Sequence, residues 1–168
     1  MIRAFNGKSP RIAPSAFVSE AAYIVGDVEI GENSSVWPGA VIRADFGKTT
    51  VGKNSSIEDN CVIHGATDVY IGDNTIIGHG AVVHCRKVGN SVLVGNNATL
   101  LDDAQVGDLC IIGAGSVVRS GARIPDNSLV VGVPGRIKGH LLPSQVAQLE
   151  CGSDIYTRLA QKYQQEEL

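Results

Sequence analysis

Three of the four histidines of the chain, His64, His79 and His84, lie close together in the sequence. Neutral imidazole is a common ligand of Zn2+, at about 2.0–2.1 Å and in tetrahedral geometry, and a catalytic zinc takes three protein ligands and leaves its fourth position to water. A histidine taken singly is more often an ordinary surface or hydrogen-bonded residue. Whether these three can share a metal therefore depends on the elements that carry them.

Those elements belong to a six-residue repeat, in which each unit has an aliphatic residue at the same position. A small residue often stands at the fifth position of the unit, and a glycine often follows its aliphatic residue, which we expect to mark corners where the backbone needs conformational freedom. Three such units close a triangular coil of about 18 residues, and the next coil stacks on it at about 4.8 Å. A run of antiparallel hairpins would need turn signals at about 8–12-residue spacing, which are absent. The repeat thus predicts an all-β solenoid, with the aliphatic residues inside: Ile12, Val18, Ile24, Ile30, Val36, Ile42, Val51, Ile57, Ile63, Ile71, Ile77, Val83, Val88, Val94, Leu100, Val106, Ile112, Val118, Ile124 and Val130.

Interruptions of the repeat put three residues on one edge of the solenoid. Insertions of this kind bulge outward from one face and leave the coils in place. With the insertions subtracted, Arg43 to His64 is 21 − 3 = 18 residues and His64 to His84 is 20 − 2 = 18. These three residues are therefore predicted to occupy the same position on successive coils. The interruptions are three extra residues between Ile42 and Val51, two between Ile63 and Ile71, and one missing between Val83 and Val88.

His79 does not belong to this column. It follows Ile77 by two residues, on the preceding side of the triangle, and it is predicted to lie above Asp59, one coil away. A neighbouring subunit could bring such a face against the edge that carries His64 and His84, giving three sites around a three-fold axis. Spacing alone leaves metal binding and a plain structural role equally open.

Composition bounds the remaining possibilities. The chain has 168 residues, 43% hydrophobic and 18% charged, and a net charge of −3, which gives no electrostatic reason to expect nucleic acid or an anionic membrane as a partner. We also expect no leader and no membrane span, and hence a cytoplasmic protein. Cys61 and Cys110 are expected to be inert buried thiols and Cys85 an ordinary surface thiol, although Cys85 could instead sense oxidation or add a soft ligand to the metal.

The pattern changes near the C-terminus. Residues 1–142 are predicted to form the β-helix domain, and residues 143–168 a helix packed on it or on a neighbouring subunit. The apolar stripe of this helix is interrupted around Gly152.

Three segments resemble the signatures of the γ-class carbonic anhydrases, namely "SVWPGAVIRADFG" (35–47), "IEDNCVIH" (57–64) and "IGHGAVVH" (77–84). The resemblance implies a left-handed parallel β-helix, a homotrimer, and a metal, usually Zn2+ but with Fe2+ or Co2+ possible. It also implies that His64 and His84 of one subunit bind this metal together with His79 of the next.

The same resemblance assigns roles to five further residues. Arg43 and Asp45 match an Arg-x-Asp motif whose ion pair organises the interface and could steer bicarbonate, and Asp59 is placed to meet Arg43 across it; a purely structural contact between subunits would explain these residues as well. Glu58 stands where many members have a glutamine that orients the metal-bound water; as a carboxylate it could accept the proton or make the site more anionic. Tyr156 resembles a tyrosine near the site in some members, although packing would explain it as well.

The resemblance favours reversible hydration of CO2 to bicarbonate by a metal-bound hydroxide. One departure concerns proton transfer, because Phe46 follows Asp45 where active members carry a glutamate, and the segment "GATD" after His64 is short. Two alternatives stay open: an acyl-CoA acyltransferase or thioesterase-like enzyme on the same scaffold, and a non-catalytic, metal-stabilised trimeric scaffold.

Overall fold

The protein is a parallel β-solenoid of about seven coils followed by one α-helix. The computed structural model describes residues 1–166. The helix is α1 (Pro143–Gln165), and the strands are β1 (Ile2–Arg3), β2 (Arg11–Ile12), β3 (Phe17–Val18), β4 (Tyr23–Ile30), β5 (Ser35–Val36), β6 (Val41–Val51), β7 (Ser56–Ile57), β8 (Val62–His64), β9 (Val69–Ile71), β10 (Ile76–Ile77), β11 (Val82–Val83), β12 (Lys87–Val88), β13 (Leu93–Val94), β14 (Thr99–Leu100), β15 (Gln105–Val106), β16 (Ile111–Ile112), β17 (Val117–Val118), β18 (Arg123–Ile124), β19 (Ser128–Val131) and β20 (Arg136–His140).

The aliphatic residue of each repeat points into the prism, as the six-residue spacing predicts. Ile42, Ile63 and Val83 are aligned on successive coils and are completely buried. Burying side chains of this size stabilises the fold by about 1.5–3 kcal/mol each. The predicted all-β solenoid with its aliphatic columns is therefore confirmed.

One face of the prism is covered by the C-terminal helix. This helix-covered face consists of β3, β5, β7, β10, β13, β16 and β19, and β20 closes it as an antiparallel strand. α1 begins at Pro143, which suits the first turn because that position needs no backbone N–H, and Gln145 Oε1 accepts the Leu142 N–H at 2.8 Å. The helix runs without a break through Gly152, where its apolar stripe is interrupted.

The other two faces differ in what they present to solvent. The apolar face, formed by the first half of β4 and of β6 with β8, β11, β14 and β17, carries the outward column Tyr23, Val41, Val62, Val82, Thr99 and Val117. The polar face, formed by β2, the second half of β4 and of β6 with β9, β12, β15 and β18, carries Arg11, Glu29, Thr50, Tyr70, Lys87, Gln105 and Arg123. The outward column of one face thus contains four valines that are half-buried or exposed, and the outward column of the other face contains none.

The three-residue insertion does not leave the sheet. β6 continues through it as one eleven-residue strand, and the register with β4 shifts between Gly26 and Val28 to absorb the extra residues. The insertion projects Phe46, which is 73% exposed. Within residues 1–166, no helix has the length and apolarity needed to span a bilayer.

Three of the four cysteines are buried. Cys61 and Cys110 have no exposed surface, as expected, but Cys85 is only 2% exposed, so its assignment as a surface thiol is wrong. Side chains alternate in direction along an extended segment, so Cys85 faces inward two residues after the buried Val83. Burial raises the pKa of Cys61 and of Cys85 to about 12, and it raises the pKa of Cys110 as well.

We expect these three thiols to resist alkylation at pH 8 in the native protein. The nucleophile is the thiolate, and a pKa raised well above 8 leaves almost none of it. A Cys151→Ser chain should therefore take up almost no iodoacetamide by mass spectrometry until it is unfolded, when all three remaining thiols react. Rapid labelling of the folded variant would contradict the burial of these side chains.

Candidate metal centre

His64 and His84 are neighbours on successive coils. β6 pairs with β8 so that Arg43 lies beside His64, and the pairing of β8 with β11 places Val83 beside Ile63, one residue before the two histidines. The two imidazole rings lie 5.1 Å apart between centroids. The predicted alignment of Arg43, His64 and His84 on one edge of the prism is confirmed.

Each of these rings has a carboxylate against one of its nitrogens. His64 Nε2 lies 3.0 Å from Asp45 Oδ1, and His84 Nδ1 lies 3.1 Å from Asp102 Oδ1. A neutral imidazole that donates its single N–H to a carboxylate keeps the lone pair of its other nitrogen. This is the arrangement in which histidines of metal sites are held, because the carboxylate fixes the tautomer and the ring orientation.

Asp45 is held in turn by Arg43. The Arg43 guanidinium donates to Asp45 Oδ2 while His64 contacts Oδ1. Partial burial alone would raise the pKa of Asp45, but the hydrogen bonds from His64 and Arg43 outweigh it, and the pKa is lowered. Asp45 is therefore an anion that positions His64, with its own position fixed by Arg43.

His79 lies on the opposite edge of the apolar face. It follows β10, which is on the helix-covered face, and precedes β11, after which His84 comes. Its Nδ1 lies 2.9 Å from Asp59 Oδ2, which confirms the stacking predicted for these residues, and its Nε2 lies 3.0 Å from Glu58 Oε2. The structure brings His79 together with Glu58 and Asp59, and it leaves His64, His84, Arg43 and Asp45 on the other edge.

Glu58 is buried beneath His79. It is 3% exposed, and its Oε2 also accepts the backbone N–H of His79 at 3.0 Å. Tyr156 of α1 faces it: burial raises the pKa of the Tyr156 hydroxyl, and the hydrogen bond to the Glu58 carboxylate raises it further. The Tyr156 ring also packs against Trp37, at 6.2 Å between centroids. Tyr156 thus combines packing with a polar contact at the candidate site.

A cavity of about 370 Å3 opens beside these residues, between the helix-covered face and α1. Glu58, His79, Asn96 and Tyr156 line its polar side, and Ile155 contributes to its apolar side. Sequence reasoning did not find Asn96 or Asp102. Asp102 could have been found by extending the histidine column by one coil, because Leu101 occupies the next position of that column and Asp102 follows it.

The donor set fits a zinc-type metal in part. His64 and His84 offer two neutral nitrogens on adjacent coils, each with its tautomer fixed by a carboxylate, which suits Zn2+ and the related Fe2+ and Co2+. Within residues 1–166 of one chain, no three His, Cys, Asp or Glu side chains are grouped so that they could hold a metal ion.

Comparison with known proteins places this arrangement in a family. Residues 87–120 match the family model "Bacterial transferase hexapeptide (six repeats)". The chain is 43% identical to "Probable carbonic anhydrase" of Methanocaldococcus jannaschii, over 89% of this chain and 96% of that one. It is 36% identical to "Gamma carbonic anhydrase 1, mitochondrial" of Arabidopsis thaliana, over 93% of this chain and 60% of that one, and so spans somewhat less than two thirds of the plant protein.

A solved structure shows the same fold. The "hexapeptide transferase family protein from Anaplasma phagocytophilum" superposes with a TM-score of 0.93 at 32% identity, covering 96% of this chain and 97% of that one. This agreement confirms the predicted class of hexapeptide-repeat β-helix with a C-terminal helix. Together with the sequence relatives and the histidine column, it shows that the chain belongs to the γ-class carbonic anhydrase family.

Proposed function

We propose that the chain is a metal-dependent γ-class carbonic anhydrase that works as a homotrimer. His64 and His84 of one chain and His79 of its neighbour would hold Zn2+, or Fe2+ or Co2+ in its place. The observation that carries the proposal is the in-register pair of imidazoles, each oriented by a carboxylate. A metal bound there would act as a Lewis acid that brings the pKa of water to about 7, as CO2 hydration requires.

The apolar face supports the assignment of His79 to a second chain. Tyr23 and Val62, both 38% exposed, are part of its outward column, which lies between the His79 edge and the edge with His64 and His84. An exposed apolar surface with defined edges is typical of an interface. Packing three such faces around a cyclic axis would bring the His79 edge of each chain to the other edge of the next.

The residues around the rings then have separate roles. Arg43 and Asp45 hold His64, and Asp102 holds His84, so neither ring has to reorganise on binding. Glu58 lies at the His79 side and lines the cavity, and this buried carboxylate would take the proton from the reaction. Asp59, at His79 Nδ1, is placed to meet Arg43 of the adjoining chain. We further propose a cytoplasmic location.

CO2 hydration measured by stopped flow tests the proposal. Protein loaded with zinc, and separately with iron under anaerobic conditions, is expected to hydrate CO2 well above the buffer rate. A His64→Ala protein should bind little metal and fall to the buffer rate, because two neutral ligands are too few for a stable site. His140→Ala is the matched control, since His140 lies outside this region on β20. Buffer-level rates for both metal-loaded forms would refute the proposal.

Acyl transfer is the second candidate. It is favoured by the transferase name of the Anaplasma structure and by the size of the cavity beside His79 and Glu58. Such an enzyme needs a single histidine as its base, so it should cleave or transfer from a short acyl-CoA with its metal removed. Thiol release from acyl-CoA by metal-free protein, without CO2 hydration by the loaded form, would favour this function.

A further inference from the structure

Phe46 is the most exposed large apolar side chain in the part of the chain that the structure describes. It is 73% exposed at the projecting insertion of β6, and its ring lies 5.7 Å from that of His64. Nothing in the fold of one chain requires an aromatic residue there. Its position beside a candidate ligand places it at the edge of the prism that the neighbouring chain would meet.

A matching apolar surface lies near His79. A groove of about 510 Å3 runs along α1, where Ile155 is 61% exposed and Leu159 is 37% exposed. Cys151 and Ile155 line this groove and also the cavity that contains His79 and Glu58. The groove is therefore continuous with the candidate site on the His79 side, just as Phe46 is adjacent to it on the His64 side.

We infer that Phe46 of one chain packs against α1 of the neighbouring chain, over Cys151 and Ile155, and closes the cavity beside His79. The inference rests on the proposed trimer, in which a metal shared by His64 and His79 brings these two surfaces together. The occupant of the groove is thus a second copy of this chain. Closure by an aromatic ring would leave room for a molecule as small as CO2 and exclude a bulky acyl thioester.

Disulfide trapping tests this contact. A Phe46→Cys chain retains Cys151, and diamide is a suitable oxidant because it does not chelate the metal. Non-reducing electrophoresis of the metal-loaded protein is expected to show the monomer band largely replaced by bands of two and three chains. The same result is expected when the partner thiol is at position 155, in a Phe46→Cys, Cys151→Ser, Ile155→Cys chain.

Two controls make the result specific. Tyr70→Cys places a thiol at a 40% exposed aromatic position on the polar face and should give no cross-link. Phe46→Cys with Cys151→Ser alone should also give none, because the other thiols are buried. Light scattering reports the oligomeric state independently. A trimer that forms no cross-link from position 46 to either partner position overturns the inference but leaves the proposed function standing, whereas a monomer overturns the proposed interface as well.

Discussion

Replacing His79 with alanine is expected to abolish stoichiometric metal binding while each chain still folds. The His79 side chain is about half exposed, and the backbone N–H that Glu58 accepts is kept in the variant. The fold therefore loses little, whereas the proposed site loses one of three ligands. Metal analysis should show near-complete loss, and circular dichroism should show an intact β-helix. The wild-type content of metal in His79→Ala would contradict the proposed ligand set.

Mixing two inactive variants distinguishes a shared site from a site within one chain. A His79→Ala chain keeps His64 and His84, and a His64→Ala chain keeps His79. A site in the mixed trimer is therefore intact only where the His64 and His84 edge of a His79→Ala chain meets the His79 edge of a His64→Ala chain. Random assembly of an equal mixture leaves about one quarter of the sites intact in a cyclic trimer. We therefore expect the refolded mixture to regain about a quarter of the wild-type metal and CO2 hydration, from two parents with almost none.

The mixing experiment is decisive because a role of His79 within its own chain predicts no recovery of metal binding or CO2 hydration. If His79 served only to hold Glu58 and Asp59 in its own chain, the hybrid would contain no additional complete site. Co-refolded His79→Ala and His84→Ala should behave like the first pair, since His64 and His84 lie on the same edge. Mixing His64→Ala with His84→Ala should recover nothing, because every site would then lack one of the two.

Much of this site could be predicted from the sequence because stacked coils convert spacing into position. Once the insertions are subtracted, residues 18 apart must lie one above the other, and that arithmetic placed His64 beside His84 and His79 beside Asp59. The environment of Cys85 could not be obtained this way. Cys85 lies in the corner where one residue of the repeat is missing, and a period of six does not say whether the alternation of side chains along a strand continues into such a corner.

The glycines that follow the aliphatic residues have a different role in the structure from the one expected from the sequence. The sequence suggested corners that need unusual backbone angles, but the positive φ values on this corner belong to Asn54 (+53°) and Asn74 (+53°), two residues further on. Asparagine tolerates that conformation well for a non-glycine residue. The glycines instead permit close stacking, since a Cβ on Gly52 would lie 2.7 Å from the carbonyl carbon of Gly72. Sequence alone could not separate these two causes.

Replacing Gly72 with alanine is consequently expected to destabilise the β-helix strongly. A Cβ at this position would lie 2.6 Å from both the carbonyl carbon and the oxygen of Gly89 on the next coil. The backbone cannot move aside freely, because the Gly72 N–H donates to the Val88 carbonyl at 2.9 Å. Overpacking in a well-packed site costs about 1–3 kcal/mol, which in a chain of this size corresponds to about 2–4 °C of melting temperature for each kcal/mol.

Gly152→Ala is the matched control for the loss at Gly72. The added Cβ would lie 2.9 Å from Ile76 Cδ1, the end of a side chain that can rotate away, and alanine is a better helix former than glycine by about 1 kcal/mol. This variant should melt at or above the wild-type temperature when both are compared at equal protein and metal concentrations, since assembly and ligand binding shift apparent stability. If the melting temperature of Gly72→Ala equalled that of Gly152→Ala instead of lying below it, the coils would have room for a side chain at this corner. The regular spacing of about 4.8 Å between stacked strands leaves no such room, because part of the crowding comes from the backbone of Gly89, which cannot rotate away as a side chain can.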